Sequence, residues 1–176
     1  MDLQLEAVEV VGGISEKLKE SPLSIEAMNI NDIKETSATN FYEGLSHMKG
    51  VDLTSASLGF RVINTRGFNS TSPVRTLQII DGVDNASPGL NFALGNFLGA
   101  SELDLMKVEI ISGASSAFYG PNAFNGVISM QTKDPFLFPG FSASVKLGER
   151  LLNEYSIRYA KVVENKNGKD RFAYKL

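Results

Sequence analysis

The stretch from Met106 to Lys133, MKVEIISGASSAFYGPNAFNGVISMQTK, restricts the fold more than any other part of the chain. Met106, Val108 and Ile110 alternate with Lys107, Glu109 and Ile111, the period-two pattern of a half-buried strand whose far end is buried on both faces. Ser112-Gly113 ends that strand, with Ser112 placed to cap a following helix and Gly113 relaxing the turn. Ala114 to Tyr119 is long enough for one or two helical turns, and Gly120-Pro121 stops them. Asn125-Gly126 is a pair that tolerates positive φ at both centres of a type I′ turn, and a second strand alternates from Val127 to Thr132. Strand, turn, short helix, turn and strand follow one another in a single block.

The whole chain has 176 residues, 43% of them hydrophobic and 21% charged, which suits one foldable domain or one domain and part of another. A net charge of -3 without a Lys/Arg cluster argues against a nucleic-acid partner, because neutralising phosphates takes a concentrated basic face. No Cys is present, so disulfides, thiolate metal sites and Cys nucleophiles are excluded. MDLQLEAVEVV is acidic and alternating, unlike a secretory signal, and no stretch approaches the roughly 20 apolar residues of a membrane helix. The chain is therefore expected to be a piece of a longer precursor.

In chain order, Leu3 to Val11 alternates like an edge strand before Gly12-Gly13. Asn29 to Glu35 reads as a short helix capped by Asn29 or Asn31. A second helix is predicted from a cap at Asn40, with Phe41, Leu45 and Met48 on one face and Lys49-Gly50 at its end. His47, the single histidine, reads as a partly exposed helix residue, because no second His or Cys exists to complete a metal set. Strands are predicted from Gly50-Val51-Asp52, over Phe60 to Phe68, and over Arg75 to Val83 with a turn at Asp81-Gly82. Polar connectors at Asn69 to Pro73 and Asp84 to Asn96 flank these strands. Beyond the proline-bracketed 134–140, the runs Phe141 to Leu147, Tyr155 to Ala160 and Phe172 to Leu176 alternate apolar with polar, and Asn167-Gly168 reads as a hairpin turn.

No constellation calls for catalysis. Gly113-Ala114-Ser115-Ser116-Ala117 lacks the last glycine of a nucleophile elbow, and the one His precedes the serines. Phosphate-loop and dinucleotide fingerprints are absent, and Glu102 and Asp104 read as part of a solvated face. No catalytic residue, metal ligand or cofactor is assigned.

EIISGASSAFYGPNAFNGVISMQTK resembles the closing motif of the plug domain of TonB-dependent outer-membrane receptors. The same family's motifs are resembled by Ser21-Pro22-Leu23-Ser24-Ile25, by Asn64-Thr65-Arg66-Gly67-Phe68 and by Ile80-Asp81-Gly82-Val83. One departure stands out: the family's Arg-Gly-Pro is Ser112-Gly113-Ala114 here, so the basic residue that often pairs with acids of the surrounding barrel is missing. The resemblance implies an α+β fold, a small mixed sheet of about four strands with short helices, followed by antiparallel barrel strands. It divides the chain into a TonB-box-like segment over 1–13, a plug over 14–133, a linker over 134–140 and the start of a transmembrane barrel over 141–176.

It also implies a gate and ligand sensor for active uptake of a siderophore, cobalamin, glycan or similar nutrient across the bacterial outer membrane. The implied partners are TonB, the nutrient ligand, the protein's own barrel and the membrane. Because LEAVEVVGG is similar to the start of mature receptors, Glu6, Val8, Val10 and Val11 are expected to meet TonB by strand addition. Arg66, Asn69, Thr71, Asn85, Asn91 and Phe92 are expected to gather at one ligand-facing end, with Arg66 open between that role and a scaffold role. The alternative is a stand-alone periplasmic or surface ligand-binding domain without transport. A barrel cut short is expected to leave its tail disordered, folded over the plug or paired with another copy.

Overall fold

The computed structural model describes residues 24–35, 41–57, 59–95, 97–113, 116–148, 153–164 and 171–176. The segment predicted to meet TonB, the Asn40 cap and the Asn167-Gly168 turn lie outside these residues. In chain order the elements are β1 (Ser24–Asn29), α1 (Ile30–Glu35), α2 (Phe41–Gly44) running into a 3-10 turn (Leu45–His47), β2 (Val51–Ser57) and β3 (Phe60–Thr65). A second 3-10 turn (Pro73–Arg75) precedes β4 (Thr76–Ile80), β5 (Val83–Asp84), β6 (Leu105–Ser112), α3 (Ser116–Tyr119) and β7 (Gly126–Thr132). The chain ends on β8 (Gly140–Leu147), β9 (Asn153–Glu164) and β10 (Arg171–Lys175).

The architecture is α+β, as the motifs imply. Its centre is a five-stranded sheet in the order β1-β6-β7-β4-β5, against about four strands expected. The sheet is mixed, because β4 and β7 run parallel while the other neighbours are antiparallel. The β2–β3 hairpin stands as a sheet of its own, and β10-β9-β8 form a third, antiparallel sheet. Val108 to Ser112 and Gly126 to Gln131 are buried without alternation, the mark of central strands covered on both faces. On one face Val108, Ile110, Ile128 and Met130 pack with Ile33, Phe41, Tyr42, Leu45 and Ile63. On the other, Ile111, Val127, Leu77 and Ile79 pack with Ala123, Ile25 and Tyr119. Each such aliphatic side chain contributes about 1.5–3 kcal/mol of transfer free energy.

Three local expectations are corrected. Ser112 is the last residue of β6 and not a helix cap; its hydroxyl is buried without a hydrogen-bond partner among the described residues, and α3 is described from Ser116. The type I′ turn lies at Asp81-Gly82, where φ is 49° and 82° and Ile80 pairs with Val83. Asn125 does not have positive φ, and its amide is buried, because the link between β6 and β7 is a long connection packed on the sheet and not a two-residue hairpin. The second helix closes after one α-turn and one 3-10 turn, since Met48 is already extended at ψ 147°. Asn29 stands at the N-cap position of α1, one of the two expected caps, and its backbone N–H donates to Asp32 Oδ2 at 2.9 Å, the carboxylate half of a capping box.

The described part of the tail takes one of the three expected courses, folding back against the plug, though as a three-stranded sheet and not as a hairpin. In β8 and β9, Phe141, Val145, Leu147, Tyr155 and Ile157 are exposed, while Ser142, Ser144, Lys146, Ser156 and Arg158 turn toward the five-stranded sheet. Apolar-out and polar-in is the barrel pattern, and the polar face does the docking.

Candidate functional site

The first connector leaves β3 at Arg66 and Gly67, whose φ values of 55° and 73° swing the backbone away from the strand direction. A side chain on Arg66 at such φ is costly, and the exposed guanidinium lies against Gly113, where an added Cβ would come within 2.7 Å of Nη1. Asn69 follows, its N–H donating to Gly67 O at 2.9 Å, and Thr71 is exposed at the tip. Asn69 lines an open groove of about 280 Å³ with Gly67, Phe68, Ser70, Arg75, Phe124 and Asn125. Phe68 and Phe124 meet edge-on at 6.3 Å, and the Arg75 guanidinium sits 5.8 Å from the Phe124 centroid. Both rings are half exposed, so this groove offers two aromatic surfaces and a cation.

Its floor is a buried network of amide side chains and backbone. Asn125 and Asn64, 3% and 0% exposed, bond each other through Asn125 Nδ2 and Asn64 Oδ1 at 2.9 Å. Asn125 Oδ1 accepts from the Thr65 N–H at 3.2 Å, its carbonyl accepts from the Thr65 hydroxyl, and its own N–H donates to Arg75 O at 2.8 Å. Asn64 Nδ2 donates to Thr54 Oγ1 and to Ser70 O, both at 3.0 Å, and Oδ1 accepts from the Ser70 N–H at 3.2 Å. This network ties the β2–β3 hairpin, the first connector and the start of β7 into one piece, and buried polar groups so satisfied specify a single arrangement.

The second connector runs beside β4, with the Asn85 N–H donating to Gln78 O at 2.9 Å and Asn85 Nδ2 to Leu98 O at 2.7 Å. Asn91, at φ 57°, closes a turn by donating to Ser87 O at 3.1 Å, and Phe92 O accepts from the Ser87 N–H at 2.9 Å. Phe97 stacks on Phe60 at 5.8 Å and 8°, next to the β2–β3 turn at Gly59. The two connectors meet through Pro73 on one and Ala93 and Gly95 on the other, which line a narrow cavity with Phe60, Arg61 and Gln78. None of the six residues expected at the ligand lines that cavity. Asn69 sits in the aromatic groove, Arg66 beside it, Asn85 bonds Gln78 of β4 and Leu98, and Asn91 and Phe92 bond Ser87 of their own connector.

Sequence reasoning missed Phe68, Arg75 and Phe124 as a group, because the parallel pairing of Thr76 with Gly126 is what brings their segments together. It also misread Glu102 and Asp104 as a solvated face. Lys146 Nζ of β8 lies 2.6 Å from both Glu102 oxygens, and Glu102 Oε2 also accepts from the Phe41 N–H at 3.3 Å. Arg158 of β9, with its side chain 5% exposed, bonds Asp104 Oδ1 and donates to Phe138 O at 2.9 Å. Lys175 of β10 lies 2.8 Å from Asp104 Oδ2. The charge order is thus the reverse of the missing arginine at 112: the plug-side groups are acids and the strand-side groups bases. A polar cavity of about 390 Å³ between Glu102, Leu103, Lys133 and the inward Ser142, Ser144, Glu154 and Ser156 completes the junction. Among the described residues no three His, Cys, Asp or Glu stand together as a metal set.

Comparison with known proteins agrees with this geometry. The family model for the TonB-dependent receptor plug domain matches residues 17–127. The vitamin B12 transporter BtuB of Vibrio cholerae is 28% identical over 153 residues, 86% of this chain and 24% of the transporter, and its Vibrio vulnificus counterpart is 27% identical over 152 residues. The chain therefore spans about a quarter of the length of these curated relatives. The fold is shared with the ferric yersiniabactin uptake receptor FyuA of Yersinia pestis, with a TM-score of 0.59 at 18% identity over 87% of this chain and 23% of the receptor. It is shared also with the siderophore receptor PirA of Acinetobacter baumannii, with a TM-score of 0.58 at 22% identity over 91% of this chain and 25% of the receptor. The motifs, the mixed sheet and the family match together establish that this chain belongs to the TonB-dependent receptor plug domain family.

Proposed function

We propose that this chain is the gate and ligand sensor of an outer-membrane receptor that takes up a nutrient with energy delivered by TonB. Residues 14–133 form the plug, 134–140 the linker and 141–176 the first barrel strands. The observation that carries the reading is the one-sided sheet of β8, β9 and β10, apolar outward and ion-paired inward to the Glu102–Asp104 turn. A stand-alone periplasmic or surface binding domain has no use for an apolar outward face, whereas a barrel wall needs one.

In this reading, ligand touching the connectors that carry Arg66, Asn69, Thr71, Asn85, Asn91 and Phe92 loosens the N-terminal segment. TonB then grips Glu6, Val8, Val10 and Val11 by strand addition, where main-chain hydrogen bonds carry force. The names of the relatives put cobalamin and ferric siderophores first among candidate ligands. The test is uptake of labelled cobalamin and a panel of ferric siderophores by cells carrying the gene, with and without TonB. One ligand should accumulate only when TonB is present. Val8→Pro should abolish accumulation while leaving ligand binding intact, and uptake that ignores TonB would refute the reading.

A further inference from the structure

A set of hydrogen bonds and ion pairs joins the five-stranded sheet with its turns to the β8–β10 sheet at the end of the former where Leu105 pairs with Thr132. There the groups form a continuous chain. Asp81, held by the positive φ of its turn, accepts from the Thr132 N–H at 2.8 Å and from the Thr132 hydroxyl. With its proton committed to Asp81, that hydroxyl has only lone pairs to offer, and Lys175 Nζ donates to it. Lys175 also donates to Lys133 O at 3.0 Å and pairs with Asp104, which holds the buried Arg158.

We propose that this end is the anchorage of the plug on the first barrel strands, and that Asp81 is its positioning residue, acting through Thr132 on Lys175. The mechanical consequence rests on the function proposed above; the anchorage itself does not. A pull on the chain ahead of Ser24 draws β1 from one end while β6 is held at the other. The six register pairs of β1 with β6 are then loaded together, in shear, instead of one after another.

The test is hydrogen exchange on this 176-residue chain in detergent micelles, comparing Asp81→Asn, Lys175→Met and the double variant. The Asp81→Asn substitution keeps the side-chain shape but introduces N–H groups, so the Thr132 hydroxyl turns to accept from the new amide and competes with Lys175. Each single variant should speed exchange several-fold in β8 and β9 while β6 and β7 stay protected. Asp81→Asn should add nothing on a Lys175→Met background, because it acts only through that lysine. Should Asp81→Asn also loosen residues 76–84, Thr132→Val removes the hydroxyl from the other side and must give the same pattern. Unchanged exchange in β8 and β9, or effects of the two substitutions that simply add, would overturn the proposal. The receptor reading would survive that result, since it stands on TonB-dependent uptake.

Discussion

Asn125 shows how much one side chain can organise. Removing its amide in Asn125→Ala strands the buried Thr65 N–H and takes a partner from Asn64, so stability should fall by about 2–4 kcal/mol in urea denaturation. Beside it, a Cβ on Gly126 would lie 2.9 Å from Ile111 O and 3.2 Å from Thr65 Cγ2, at φ 156°. Gly126→Val should therefore prevent folding, visible as loss of near-ultraviolet dichroism, because the clash is with backbone that cannot yield. Tyr42 makes a pH prediction. Burial pushes its phenol well above the ordinary range, against a smaller lowering by a hydrogen bond with the Ile63 backbone. Tyr119 is shifted the same way, by burial and then by the charge of Glu109. The unfolded chain releases these protons near pH ~10 while the folded one keeps them, so stability is full below that pH and declines as pH rises through it. Tyr42→Phe should flatten that decline in a series of urea melts.

Among elements, α1 has its first turn tied by the Asp32 carboxylate. Asp32→Ala removes the acceptor of the Asn29 N–H and should cost about 1 kcal/mol by thermal melting, with faster exchange confined to residues 29–35. The strands illustrate what periodicity conveys. Alternation in Phe141 to Leu147 identifies the outward and inward sides of β8 correctly, with Phe141, Val145 and Leu147 exposed and Ser142, Ser144 and Lys146 half-buried. The uninterrupted burial of β7 is less legible, because its polar residues Ser129 and Gln131 are buried as well. Turn chemistry reads equally well at two places, yet only Asp81-Gly82 joins adjacent antiparallel strands closely enough to use it. At Asn125-Gly126 the asparagine is committed to a network that crosses the chain.

At the scale of the molecule, an apolar wall of Phe141, Val145, Leu147, Tyr155, Ile157 and Phe172 stands 59–74% exposed in this chain. Such a face should associate in plain buffer and be dispersed by detergent, which sedimentation in the two media measures. The sequence by itself determined the α+β class, the order of the elements, the family and the two-sidedness of the last strands, because these rest on local periodicity, turn residues and contiguous motifs. Tertiary structure alone decided that Phe68, Arg75 and Phe124 share a groove, that Asn64 and Asn125 form one network, and that Glu102 and Asp104 hold Lys146, Arg158 and Lys175. Each of these joins residues from separate segments through strand pairings or ion pairs, and a charge or ring has no local signal to tell whether it will meet water or a partner.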